Sequence, residues 1–511
     1  MASLLRSSSL VSFWTLVSRI MGLIRDVVLA NLLGASYAAD IFLLAQKIPN
    51  FLRRLFAEGA FATAFVPVFS EYQESRSPAE TRALLSHVSG TLGGILLLVT
   101  LVGVLGAPLL VMVFGPGFIG QPEKFDLAST LLRITFPYIL FISLTAYCGS
   151  VFNTIGRFAL PAFTPVILNL CLIAAAVAVA PWLAQPAVAL AWAIFAAGVL
   201  QLLIQLPLMW RQGYLIKPGW GWRDKGVQKI IKLIIPVLFG VSVSQINLML
   251  DTQLASFLQT GSIAWLYYSD RLLEFPLGVF GIAIATVILP ALSRQHVSQS
   301  REEYSRTLNW ALRNVLLIGV PAACGLAVLA EPLMITLFQH GIFTETDSLM
   351  AASSLRAYAL GLPAFMLIKV LATGFYSRQD TRTPVRIGVK AMVTNMVLNL
   401  ALFYPLAHVG LALATSLAAF VNAGLLFLHL RRSGAFALSS QWRRWLLLLA
   451  AANSLLVVVV WLLNPDFPAW QIMDLWRQVV WLLALVAGGG LVYGLTLVLL
   501  GVRLKDVRQP G

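Results

Sequence analysis

Long apolar runs, interrupted by glycine, proline and short charged stretches, recur from one end of the sequence to the other. None shows the two-residue alternation of a half-buried strand, so the pattern predicts helices and not a β-barrel. Fourteen are predicted, over residues 11–33, 38–70, 84–114, 126–153, 160–180, 187–210, 229–258, 262–293, 307–337, 348–376, 384–405, 408–431, 443–463 and 475–502. All reach the roughly 20 residues that cross about 30 Å of hydrocarbon. The second and eighth runs are long and contain Pro49 and Pro276. Each is expected to bend there, or to lie partly outside the membrane.

Composition agrees with an all-α polytopic membrane protein. Of 511 residues, 59% are hydrophobic and 11% charged, against about 25% charged in a soluble domain. The net charge of +15 does not point to nucleic acid, because the cations are concentrated in short loops between apolar runs. Loops on the N-terminal side of the membrane hold 25 of the 36 Lys and Arg, while the opposite loops hold only Lys124 and Arg477. By the positive-inside rule both termini are cytoplasmic. Arg19 and Arg25 interrupt the first apolar run, which reads as a retained helix rather than a cleaved signal. Cys148, Cys171 and Cys324 lie in apolar helices and give neither a disulfide framework nor metal spacing.

The chain repeats itself. Pro108-Leu109-Leu110 recurs as Pro332-Leu333-Met334, and Leu132-Arg133 as Leu355-Arg356. Phe152 with Pro161 recurs as Phe375 with Pro384, and Gly34 with Pro49 as Gly261 with Pro276. The offsets are 224, 223, 223 and 227 residues. Six helices per unit is an even number, so both units enter from the same side. This predicts two pseudo-symmetric six-helix lobes, 1–215 and 216–435, around a central site, with 436–511 adding two helices. That is a transporter architecture.

Nine cations sit well inside the apolar runs, away from their ends: Arg19, Arg25, Lys47, Arg53, Arg54, Arg133, Arg271, Arg356 and Lys369. Each costs at least about 2.5–3.5 kcal/mol in hydrocarbon, so they require a watery cavity or counter-ions. The acids set against them are Asp26, Asp40, Glu58, Asp251, Asp270 and Glu274. The surplus is positive and suits an anion. On the first helix Ser18 and Arg25 share a face, and Arg19 and Asp26 share the neighbouring one. Arg19 and Asp26 could neutralise each other, or Arg19 and Arg25 could flank one extended polyanion. Arg53 and Arg54 point to different faces, so one faces a cavity, and Lys47 and Arg54 could snorkel to lipid headgroups. In the second unit Asp270 and Glu274 share a face, and Arg271 can pair with Glu274 at i,i+3. Lys369 has no acid nearby in sequence. Arg133 and Arg356 are repeat-equivalent and read as symmetric anchors. Asp251, near Ser242, Ser244, Asn247 and Thr252, could carry Na⁺ or H⁺, or pair with an arginine. There is no Walker A motif, GxSxG or HExxH, so no enzyme and no cofactor is indicated, and transport would draw on membrane potential or an ion gradient.

Several of these segments together resemble a known family: Arg19-Ile-Met-Gly-Leu-Ile-Arg-Asp26, Lys47-Ile-Pro-Asn-Phe-Leu-Arg-Arg-Leu-Phe-Ala-Glu-Gly-Ala-Phe61, Phe65-Val-Pro, Tyr268-Ser-Asp-Arg-Leu-Leu-Glu-Phe-Pro276 and Gly374-Phe-Tyr-Ser-Arg-Gln-Asp-Thr-Arg-Thr-Pro384. They are similar to the MurJ (MviN) lipid II flippases of the MOP exporter superfamily, end to end. The resemblance implies a bacterial inner-membrane exporter with a cationic cavity open alternately to each side. It implies that Arg19, Arg25, Arg53 and Arg271 bind the pyrophosphate and sugar head of lipid II. Asp40 and Glu274 match acids of gating or positioning, and the last two helices match a groove for the polyprenyl tail. Two other MOP-type readings compete. A drug–cation antiporter would be lined by acids and aromatics. An oligosaccharide-lipid flippase takes a similar polyprenyl pyrophosphate. A membrane scaffold for cell-wall synthases would tolerate loss of the arginines.

Overall fold

The computed structural model describes residues 2–53, 61–298, 300–434, 436–439 and 441–502. Among them the regular structure is entirely helical, and two compact units divide at Ala264 and Trp265.

The first unit contains α1 (Ala2–Leu33), α2 (Tyr37–Arg53), α3 (Ala62–Ser75), α4 (Pro78–Leu105), α5 (Ala107–Phe114), α6 (Pro122–Thr135), α7 (Tyr138–Thr154), α8 (Ala159–Ala178), α9 (Pro186–Leu203), α10 (Leu206–Arg211) and α11 (Lys225–Ala255). The next helix, α12 (Ser262–Pro276), starts at its end. α1 packs along α8, α8 and α7 along α9, and α2 against α6, α7 and α9. Local chemistry sets several starts. Ser77 and Glu80 form a reciprocal capping box at α4, with Pro78 in the first turn. Asp224 caps α11 by accepting from the Gly226 and Val227 amides.

The second unit continues through a π-helical turn at Leu277–Gly281 into α13 (Ile282–Val297), α14 (Arg301–Val328), α15 (Ala330–Phe338), α16 (Glu345–Tyr376), α17 (Arg382–Arg432), α18 (Trp442–Leu463), α19 (Phe467–Ile472) and α20 (Leu475–Leu499). α16 is its central helix, packed against α13, α14, α15 and α17. Thr344 and Asp347 form its capping box, and Asp347 also accepts from the Trp265 indole at 2.9 Å. α18 and α20 pack on each other and on α14 and α15. Their shared core includes Leu449, Leu456, Val460, Trp470 and Leu485 with Leu329 and Ile335.

Nine spans among the described residues are long and apolar enough to cross a membrane. One of them, α17, has 51 residues and would measure about 76 Å if straight. It is two helices. Ala407, two residues after Pro405, has φ 49° and ψ −131°. Gly410 then lies so close to Leu402 that an added Cβ would stand 2.3 Å from its carbonyl oxygen. Asn395 reaches across from one arm to Thr415 on the other at 3.1 Å. The expected runs 11–33, 38–70, 229–258 and 262–293 are not among these nine spans.

Proline and glycine divide the runs as local sterics require. A π-helical turn, Leu277–Gly281, follows Pro276. Pro49 lies inside α2, which runs on to Arg53. Gly34 and Gly261, equivalent in sequence, have φ of 59° and 100° and precede α2 and α12. Only glycine enters that region at little cost. The short α5 and α15 are likewise equivalent, each following a break, at Gly106 and Leu329.

Candidate functional site

The candidate residues of the first unit lie on α1, α2 and α11. Arg25 is 8% exposed and Asp26 is fully buried. Arg25 donates from Nε (3.0 Å) and an Nη (2.6 Å) to one Asp26 oxygen. Its other Nη donates to Asn169 Oδ1 on α8 at 3.0 Å. The Asn169 amide returns a bond to the Ser18 carbonyl at 3.1 Å. One asparagine therefore orients the guanidinium and ties α1 to α8. Helical spacing sets Asp26 beside Arg19, whereas its carboxylate accepts from the adjacent Arg25. Arg19 is half-buried and meets no acid among the described residues.

On α2, Arg53 Nε donates to Asn50 Oδ1 one turn earlier, at 3.2 Å. Lys47 is half-buried and donates to Thr252 Oγ1 at 2.9 Å, beside buried Asp251 in the last turns of α11. Glu58 and Arg54 lie outside the described residues, as do the side chains of Ser242 and Ser244.

Asp40 is held firmly. Its two oxygens accept from the backbone amides of Gly261 (2.6 Å) and Ala264 (2.9 Å). These belong to the first turn of α12 and the residue before it, whose N–H groups have no partner within the helix. Asp40 thus caps another helix from a position 221 residues away. Asp40→Ala is expected to cost about 1–3 kcal/mol, the penalty for buried amides left unpaired. The purified variant should melt several degrees lower, and Asp40→Asn, which keeps one acceptor, should lose less. An unchanged melting curve for Asp40→Ala would remove this role.

In the second unit, Arg271 donates to Glu274 at 3.2 Å, the expected i,i+3 pair, with Asp270 half-buried on the same helix. Lys369 is exposed on α16. Arg356 reaches Glu331 of α15 at 2.6 Å, as an anchor would. Among the described residues no cluster of His, Cys, Asp and Glu could hold a metal ion. Asn169 and Asn50 are partners of Arg25 and Arg53 that the pattern of charges does not point to. An asparagine deep in an apolar run, or three residues before an arginine, is the signal that would have found them.

Long apolar helices, two compact units and cations retained inside apolar runs define a polytopic membrane transporter. Solved MOP-superfamily transporters share this fold. A multidrug resistance MATE family transporter in an inward-facing conformation superposes with a TM-score of 0.66 over 82% of this chain and 95% of its own, at 14% identity. The chain belongs to the lipid II flippase MurJ family, whose model matches residues 29–481. Relatives described as "Probable lipid II flippase MurJ" from Haemophilus influenzae and Vibrio cholerae are each 51% identical, over 96% and 99% of this chain and 98% of their own lengths. A solved structure, "Lipid II flippase MurJ, inward closed conformation", matches with a TM-score of 0.81 and 29% identity, covering 95% of this chain and 97% of that one. The family is one of lipid transporters, not enzymes.

Proposed function

We propose that this chain carries lipid II, the polyprenyl-pyrophosphate-linked peptidoglycan precursor, from the cytoplasmic to the periplasmic leaflet of the bacterial inner membrane by alternating access. The observation that carries the reading is the surplus of cations in the apolar runs of a chain that is 51% identical to relatives described as flippases of this lipid. Arg19, Arg25, Arg53, Arg271 and Lys369 bind the pyrophosphate and sugar head. Guanidinium suits phosphate because it donates in a fixed fork. Ser18, Asp26, Asp40, Glu58, Asp270 and Glu274 position or gate, and Asp251 is the candidate for coupling to Na⁺ or H⁺. With fourteen crossings both termini lie on one side, and the cation bias of the loops makes that side the cytoplasm, with lobes 1–215 and 216–435. The segment 436–511 offers an apolar face to the lipid tail.

The test is depletion of the protein in its host. Lipid II should accumulate on the cytoplasmic leaflet, and re-expression should clear it. Accumulation of an oligosaccharide lipid instead would favour the other MOP-type flippase, and drug sensitivity alone would favour the antiporter. Removing residues from Arg443 onward should leave a stable protein with impaired transport. Full complementation by that truncation would refute the tail role.

A further inference from the structure

The segment before α11 and the first two turns of that helix form a cationic hollow that the proposed transport does not use. Arg223, Lys225, Gln228, Lys229 and Lys232 line a groove of about 320 Å³. Lys225, Lys229 and Lys232 stand at i, i+4 and i+7 and so share one face. Arg223 is also a wall of a neighbouring hollow of about 860 Å³, with His87, Trp220, Gly221, Trp222 and Asp224.

The acids nearby are engaged elsewhere. Lys229 pairs with Glu71 of α3. Asp224 caps α11 with one oxygen and faces His87 Nδ1 at 3.2 Å with the other. Arg223, Lys225 and Lys232 are exposed and meet no acid among the described residues. Three positive charges are thus left facing outward.

The frame beneath them is firmly built. The Gly219 amide donates to the Ser86 carbonyl (3.0 Å), and Ser86 Oγ to the Lys217 carbonyl (2.7 Å). The Gly221 amide donates to Thr91 Oγ1 at 3.0 Å. Gly90 admits the strap because it has no side chain: an added Cβ would stand 2.2 Å from the Gly219 oxygen. Trp220 rests over Gly94 yet stays 64% exposed, and Trp222 is exposed beside it. Immediately after Lys232 the helix becomes apolar, Leu233-Ile234-Ile235. Cations and indoles at the wet end of a helix entering hydrocarbon are placed at headgroup depth.

From this we infer that Arg223, Lys225 and Lys232, flanked by Trp220 and Trp222, form a docking site for the phosphate headgroup of an anionic phospholipid of the surrounding bilayer. Charge complementarity selects an anion, and the exposed indoles beside the apolar turn select one carried on a lipid. The inference is independent of what the chain transports.

The experiment measures binding of a fluorescent phosphatidylglycerol to the full chain in detergent. Each cation near a membrane surface contributes roughly a fivefold effect, so Arg223→Gln with Lys225→Gln and Lys232→Gln should weaken binding by up to about 100-fold. A control with the same charge loss elsewhere, Arg431→Gln with Arg432→Gln and Arg444→Gln, should change it less than about threefold. Restoring all three positions as lysine, through Arg223→Lys alone, should retain binding. Equal losses in both triples, or none in the first, would overturn the site. Displacement by inorganic pyrophosphate with no preference for phosphatidylglycerol over phosphatidylcholine would assign it to a soluble phosphate and overturn the lipid. So would binding of a polyprenyl pyrophosphate without phosphatidylglycerol.

Discussion

Replacing Arg25 by alanine should fail twice, in accumulation and in transport. Asp26 is fully buried and receives two bonds from the Arg25 guanidinium. Removing one member of a buried ion pair costs about 3–5 kcal/mol, because the other charge loses its compensation. That is a large part of the 5–15 kcal/mol by which a protein is stable. Replacing both members by apolar residues of similar volume is often neutral. The double variant Arg25→Met with Asp26→Leu should therefore accumulate near the normal level and still not support growth. Arg19→Ala, Arg53→Ala and Arg271→Ala should accumulate and fail in transport only. Immunoblots beside complementation of depleted cells separate the two effects. Normal levels of Arg25→Ala would dismiss the structural pair, and growth of the double variant would dismiss Arg25 as a substrate contact.

Collapse of the membrane potential should stop export. A pyrophosphate head carries about two negative charges, and moving them out of a negative interior is downhill by roughly 4.6 kcal/mol per 100 mV. That biases export by more than about a thousandfold. Cations fixed to rocking helices do not cross with the substrate and offset little of this. Dissipating only the Na⁺ or only the pH gradient should do less, unless Asp251 couples an ion. Accessibility of lipid II outside the cell, measured with each gradient removed in turn, decides. Undiminished export at zero potential would refute a voltage drive, whereas loss on Na⁺ removal alone would turn attention to Asp251.

Helix positions were legible because hydropathy reports burial in lipid directly. Breaks inside apolar runs were less so. The run over 84–114 divides at Gly106, and that over 126–153 between Thr135 and Tyr138. A bilayer tolerates either a straight or a broken apolar helix, so hydropathy is silent there. The Arg271–Glu274 pair followed from i,i+3 spacing alone. The grip of Asp40 on the start of α12 had no such signal, because it depends on two segments meeting in space. The tie from Arg25 to Asn169 was hidden for the same reason, and because an uncharged amide does not register in a count of charges.

The tight fold of α17 at Ala407 bears on how the chain is made. Fifty-one residues with no polar loop at their middle present the insertion machinery with one hairpin rather than two stop points. Arg382, Arg386 and Lys390 lie at one end and Arg431 and Arg432 at the other, so the same retention signal acts on both ends. The arms of α17 meet at Gly410 and are joined by Asn395 and Thr415, so each arm is held by the other. A fault in that turn would be a fault of biogenesis, seen as lost protein and not as slow transport.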